Sequence, residues 1–151
     1  MGISKISLIY PNFKWNEWVT STRWDVHPYN ICLLSSMIRD KYEINIIDAN
    51  FYNMSEEEFY KTILDTKPDI LGISILTNEY ASSGLKAAKI AKKIDPRIKT
   101  IVGGVSATSN PKPLIEFPYV DYVVVGEGEY VFRELCDFFN DKGDFPKKGV
   151  L

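Results

Sequence analysis

Hydrophobic positions along the chain follow two alternating periods. Short apolar or alternating runs recur at Lys5–Tyr10, Glu43–Asp48, Pro68–Thr77, Thr100–Val102 and Asp121–Val125, and stretches with helical spacing separate them. Lys5–Tyr10 reads as a first strand, stopped by Pro11. Tyr29–Lys41 sets Ile31, Leu34 and Ile38 on one helical face, with Leu33 and Met37 beside them. Ile44, Ile46 and Ile47 mark a second strand, placed at the sheet edge. Ser55-Glu-Glu-Glu58 is a capping box, in which the serine hydroxyl accepts from a free helix-start N–H while Glu58 reaches back. Phe59 and Ile63 continue it as the stripe of a second helix that ends before Pro68.

Pro68–Thr77 is the most continuously apolar stretch, which places it at the centre of a sheet covered on both faces. A third helix from Asn78 to Lys93 turns Leu85, Ala88, Ala91 and Ile94 inward. The fourth strand, Thr100–Val102, ends in Gly103-Gly104, where missing β-carbons permit a sharp turn or the close approach of a ligand. Asn110-Pro-Lys-Pro113 breaks the chain, with a short helical turn before Pro118. Asp121–Val125 is strand five, and a last helix, Tyr130–Asn140, buries Val131, Leu135 and Phe138 before Gly143 stops it.

Strands alternating with helices predict an α/β fold. Right-handed crossovers favour a flavodoxin-like (Rossmann-like), doubly wound, five-stranded parallel sheet of order 2-1-3-4-5 with helices on both faces. Ligands in such sheets sit outside the carboxyl ends of the strands. Here those ends are Tyr10-Pro11, Ser74 to Thr77, Gly103-Gly104 and Gly126-Glu127, residues better suited to a crevice than to packing. A long loop over residues 11–28 carries Trp15, Trp18 and Trp24; loops of that length are commonly functional, and aromatic surface argues against disorder. The expected domain is 1–142, with 143–151 a linker towards a further domain.

At 151 residues and 45% hydrophobic, one domain has a core large enough to need no staples. A net charge of −2, with 18 basic and 20 acidic residues intermixed, gives no argument for nucleic acid or an anionic membrane. No apolar run has membrane-spanning length and no signal-peptide pattern opens the chain, so cytoplasm is the expected location. Cys32 and Cys136 fall in predicted helices and read as buried thiols; a single histidine makes structural zinc a poor fit. Gly126-x-Gly128 mimics a dinucleotide turn, but the flanking glutamates repel phosphate. A phospho-acceptor receiver needs an Asp where strand three carries Ser74.

Ser74-x-Leu76 followed by Gly103-Gly104 resembles the cobalamin-binding domain of B12-dependent enzymes. The fuller pattern adds Ile47-Asp-Ala-Asn50, Pro68-Asp-Ile-Leu-Gly-Ile-Ser74, Ala107-Thr108 and Val120–Glu129. It resembles the N-terminal B12-binding domain of radical SAM proteins, the group holding the anaerobic magnesium-protoporphyrin monomethyl ester cyclase and many cobalamin-dependent methyltransferases. That resemblance implies that Ser74, Leu76 and Thr77 line a slot for the dimethylbenzimidazole tail, and that Gly103 and Gly104 admit its ribose and phosphate. It further implies that Val105, Ser106, Gly126, Glu127 and Gly128 meet the tail or the corrin edge, with Tyr10 and Pro11 at the neighbouring strand end. Burying an aromatic group of roughly 150–250 Å² at about 25 cal/mol per Å² contributes on the order of 4–6 kcal/mol before ordering costs. Glu127 and Glu129 also read simply as helix-start charges complementing the macrodipole.

Two positions depart from the family's pattern. Ser106 stands where the family usually has histidine, and Asp25-Val-His27-Pro-Tyr-Asn30 matches the cobalt-ligating D-x-H-x-x-G with Asn for Gly. His27 is thus a candidate lower cobalt ligand, with Asp25 orienting its ring; radical SAM relatives commonly leave that cobalt face unligated, and the alternative is an exposed loop residue or a helix-start polar group. The expected function is a module holding base-off cobalamin at the carboxyl edge of the sheet for radical or methyl-transfer chemistry in a separate domain. Neither cysteine belongs to the C-x3-C-x2-C pattern of a radical SAM cluster, so the iron-sulfur cluster and S-adenosylmethionine are assigned to a catalytic domain of the same polypeptide. The alternatives are a degenerate domain of this type that lacks the cofactor and serves as an interaction module, and a nucleotide-binding enzyme.

Overall fold

The computed structural model describes residues 2–18 and 26–151. Five strands form one sheet: β1 (Lys5–Tyr10), β2 (Glu43–Asp48), β3 (Ile70–Ser74), β4 (Lys99–Gly103) and β5 (Tyr122–Val123). All four pairings are parallel and the order is β2-β1-β3-β4-β5, as expected. β3 is buried at every position, in keeping with its central place and unbroken apolar character.

Helices cover both faces. On one side lie α2 (Glu56–Thr66) and α3 (Ala81–Ile94), followed after β4 by two single-turn helices, α4 (Val105–Ser109) and α5 (Pro111–Ile115). On the other lie α1 (Tyr29–Ile38) and α6 (Gly128–Phe138). The two cores are split by strand alternation: Ile9, Leu71, Ile73 and Val102 face α2 and α3, while Ile6, Leu8, Ile70 and Ile101 face α1 and α6. The capping box starts α2 as predicted, with Glu58 N–H donating to Ser55 Oγ at 3.1 Å and Ser55 N–H to Glu58 Oε2 at 2.7 Å.

Two aspartates of the sequence motifs, Asp69 and Asp121, organise the amino edge of the sheet. Asp69 Oδ2 accepts from the N–H groups of Ser4 and Lys5 at 2.8 and 2.9 Å, and Asp121 Oδ2 accepts from Thr100 N–H at 2.7 Å. Each carboxylate thereby satisfies main-chain donors where the neighbouring strand begins. Both stand at the edge opposite the strands' carboxyl ends, so these motif positions serve the sheet.

The structure rotates one helix relative to the sequence reading. α6 buries Phe132, Leu135 and Cys136, whereas Val131 and Phe138 are only partly covered. The cause is non-local: Gly72 leaves a hollow on β3, and the Phe132 ring lies 3.3 Å from where a β-carbon at that glycine would stand. α3 likewise buries Ser83, Gly84 and Ala87 with Ala88 and Ala91, while Leu85 and Ile94 pack partly covered against the core. Cys136 is buried as expected, but Cys32 is exposed, because the α1 face that meets the sheet carries Ile31 and Ile38. Residues Gly149–Leu151 return antiparallel alongside β5, exchanging hydrogen bonds of 2.9 and 3.0 Å between Val123 and Leu151.

The early loop divides. Asn12 caps a 3-10 turn (Phe13–Trp15) through Lys14 N–H, and Trp15 is buried with its indole N–H donating to Met54 O at 2.8 Å. Trp18 is exposed, and Trp24 and Asp25 lie outside the described residues. Among the described residues no helix is long and apolar enough to cross a membrane.

Candidate functional site

Strand alternation decides what the α1/α6 face of the sheet offers. Near the amino ends it offers Ile6, Leu8, Ile70 and Ile101, which pack tightly under the helices. Towards the carboxyl ends the same face offers Gly72 and Ser74 on β3 and Gly103 on β4, and Ser74 stands in register beside Gly103. Side-chain volume falls away there, but α1 and α6 cannot follow the sheet down because Ile31, Ile38, Phe132 and Leu135 fix their height. A cavity of about 580 Å³ is left between sheet and helices. That volume is within the roughly 300–1,000 Å³ usual for small-molecule pockets. β3 and β4 are hydrogen-bonded neighbours, so the slot lies above the pair and beneath α1 and α6.

The walls are mostly apolar, with Leu34 and Leu76 facing Ile101, Val124 and Phe132. One polar pair lies deep: Asn30 Nδ2 donates to Ser74 Oγ, and Ser74 is only 5% exposed. Tyr10 closes the inner end; burial, then the neighbouring Tyr80 and Asp48, push its phenol up to about 12, so it stays neutral.

The two glycines after β4 do different work. Gly104 has φ +101°, and a β-carbon there would lie 2.5 Å from the Ile75 carbonyl oxygen, so the chain itself needs glycine. At Gly103 a β-carbon would meet only Val124, at 3.8 Å; its missing side chain keeps the cavity open. Gly126, at φ +86°, has nothing within 4 Å of its β-position and forms part of the mouth. Thr108 ties the two glycine turns together, its Oγ accepting from Gly126 N–H at 2.9 Å and donating to Gly104 O at 3.0 Å.

The structure brings most of the predicted residues to this one cavity. Tyr10, Ser74, Leu76, Gly103 and Gly104 line its body and turn. Val105, Gly126, Glu127, Gly128 and His27 line its mouth, where His27 is exposed. Three lie elsewhere. Pro11 is buried outside the wall, and Thr77 precedes the 3-10 turn Asn78–Tyr80. Ser106 belongs to α4 on the opposite side, and its hydroxyl donates to Asn78 Oδ1 at 2.8 Å. Sequence reasoning missed Gly72, Asn30, Thr108 and Phe132 as wall residues. The period-2 spacing Gly72, Ser74, Leu76 was the available signal for the first; the others depend on contacts between distant segments. Among the described residues no three His, Cys, Asp or Glu side chains converge as a metal site.

Comparison with known proteins gives the same picture. A family model described as B12 binding domain matches residues 18–136. An uncharacterized methyltransferase of Pyrococcus horikoshii is 34% identical over 125 residues, covering 82% of this chain and 27% of that protein. The anaerobic magnesium-protoporphyrin IX monomethyl ester cyclase of Rubrivivax gelatinosus is 28% identical over 144 residues, covering 93% of this chain and 25% of that protein. The chain thus spans about a quarter of the length of these curated relatives. Among solved structures, the radical S-adenosylmethionine methyltransferase TsrM from Kitasatospora setae superposes with a TM-score of 0.77 at 16% identity, over 97% of this chain and 28% of that one. The cobalamin-dependent S-adenosylmethionine radical enzyme OxsB superposes with a TM-score of 0.72 at 18% identity, over 99% of this chain and 20% of that one. At these identities the structural likeness speaks for the fold.

Proposed function

The chain belongs to the B12-binding domain family, and we propose that it holds cobalamin, base-off, over the carboxyl edge of its sheet, with the nucleotide tail in the cavity under α1 and α6. The observation that carries this reading is the cradle itself: bare Gly103 beside the small Ser74 leaves a hollow on an otherwise tightly packed sheet face, floored by Gly72 with Phe132 packed over it. Its apolar walls fit a flat heteroaromatic group, and a side chain at Gly103 would stand inside the space the tail needs.

Bound cobalamin supplies a cobalt centre suited to methyl carriage or radical chemistry. The chain's own residues position it. Leu76, Ile101, Val124 and Phe132 exclude water from the tail, and the turns at Gly104 and Gly126, braced by Thr108, bring main chain rather than side chains to the mouth. Glu129, in the first turn of α6, complements that helix's dipole.

The proposed partner is a radical SAM catalytic domain of the same polypeptide, which would hold the iron-sulfur cluster and S-adenosylmethionine. The relatives support this, as two are methyltransferases and one a cyclase. Tyr29 and Val105, 74% and 60% exposed at the cavity mouth, offer that partner and the corrin an apolar rim.

The test is titration of the chain with aquacobalamin followed by desalting. Retention of about one equivalent of corrinoid chromophore is expected. Complete loss of colour at tens of micromolar would overturn the reading in favour of an interaction module without cofactor.

A further inference from the structure

We propose that Asn30 is a positioning residue that fixes the Ser74 hydroxyl as a hydrogen-bond donor into the cavity, so that the site selects corrinoids whose lower base presents a nitrogen acceptor over corrinoids with a phenolic tail. This rests on the corrinoid reading above and goes beyond it, to which tail the slot accepts.

The argument starts at the first turn of α1. The early N–H groups of a helix lack acceptors within the helix. Ile31 N–H is one of them, and it donates to Asn30 Oδ1 at 2.9 Å. That bond fixes the orientation of the amide: with Oδ1 turned to the main chain, Nδ2 faces β3. Nδ2 donates to Ser74 Oγ. An oxygen that accepts from an amide N–H keeps its own proton for a different partner. No acceptor for that proton is found among the described residues, and Ser74 is 95% buried against the cavity, away from bulk water.

The donor therefore points at whatever fills the slot. Around it the walls are the aliphatic and aromatic groups of Ile31, Leu34, Leu76, Ile101 and Phe132, which discriminate by shape alone. A benzimidazole or purine tail brings an unprotonated ring nitrogen that accepts the Ser74 proton. A phenolic tail of similar width, joined to the ribose through its oxygen, has carbon where the benzimidazole has that nitrogen, and leaves the hydroxyl desolvated and unpaired. Loss of one such bond in a buried site corresponds to about tenfold in affinity.

Asn30→Asp is the diagnostic variant. It preserves the acceptor for Ile31 N–H, and a carboxylate suits a helix start, so α1 is retained. It replaces the amide donor by a second acceptor, which draws the Ser74 proton away from the slot. The experiment measures dissociation constants of the chain and its variants for aquacobalamin, for p-cresolylcobamide, whose lower group lacks nitrogen, and for cobinamide, which lacks the tail. The native chain is expected to favour aquacobalamin over p-cresolylcobamide by about tenfold, and N30D to bring that ratio close to one. Ser74→Ala, which removes the other member of the pair, is expected to do the same, and Ser74→Thr, which keeps a hydroxyl, to retain most of the ratio. A native chain that binds both cobamides equally, or an N30D chain that keeps the native ratio, overturns the inference while leaving cobalamin binding intact. Failure of the native chain to bind any of the three overturns the cofactor reading instead. Should N30D not fold, an unchanged ratio in S74A alone is sufficient to reject the proposal.

Discussion

Gly104 and Ile75 stand so close that a β-carbon on the glycine would lie 2.5 Å from the Ile75 carbonyl oxygen. That oxygen also accepts from Ser106 N–H at 3.2 Å, so the end of β3 is locked against the start of α4. The contact is between main-chain atoms, which cannot swing aside. Gly104→Ala is therefore expected to destabilise the fold by on the order of 3 kcal/mol, combining a strained positive φ with an overpacked contact. Denaturant unfolding monitored by circular dichroism checks it; a midpoint unchanged from the native chain would refute the assignment.

Gly103 predicts the opposite pairing of effects. Its backbone is unexceptional and a β-carbon would meet only Val124, at 3.8 Å. Gly103→Leu is expected to keep stability within about 1 kcal/mol, because the added side chain occupies empty space. Cobalamin affinity is expected to fall at least a hundredfold, about 3 kcal/mol, as the tail loses its burial. Isothermal titration alongside a thermal melt separates the two. A stable G103L chain with native affinity would show that the tail does not enter this cavity.

The two thiols are predicted to differ sharply. Cys32 is exposed, while Cys136 is buried and its thiol is pushed up from 9.0 to about 12, chiefly by burial and further by Asp137, against the opposing effect of Lys41. With a thiol-reactive chromogenic reagent near pH 8, one equivalent is expected to react promptly and the second only in denaturant. The sign for stability follows from the same shift: above about 9 the unfolded chain releases the Cys136 proton while the folded chain holds it. Stability from this group is complete below about pH 9 and is lost as pH rises towards 12, in the same range as Tyr10, whose folded value is also about 12. Unfolding curves from pH 8 to 11 should fall less steeply for Cys136→Ala than for the native chain.

His27 lies at the cavity mouth, exposed, with its main-chain carbonyl accepting from Tyr29 N–H at 2.7 Å. His27→Ala is expected to leave both the affinity for cobalamin and the electron paramagnetic resonance spectrum of the bound cob(II)alamin unchanged. Nitrogen superhyperfine splitting present in the native chain and lost in the variant would instead make His27 the lower cobalt ligand.

Much of this architecture was legible from periodicity alone. The unbroken apolar run at Ile70–Ser74 pointed to a central strand and the alternation in β2 to an edge, and crossover handedness favoured the strand order that the structure shows. Ser55 and Glu58 announced the start of α2 because a capping box is a local device. What local patterns could not reveal was complementarity between distant segments. Phe132 is buried in place of Val131 because Gly72, sixty positions earlier, leaves room for its ring. Ser106 follows the glycine pair in sequence, yet Gly104's turn carries it to the far side of the sheet, to Asn78. Asn30 stands for glycine in a ligand motif and opens α1; its partner Ser74 ends β3, and only the fold shows the pair.

The three-residue return at Gly149–Leu151 has a consequence for how copies of this chain meet. Among the described residues it occupies the outer rim of β5 and leaves β2 as the long open flank of the sheet. Main-chain pairing through that flank would join two copies edge to edge about a twofold axis, with only the short outer rim of Gly149–Leu151 left on the far side for any further addition.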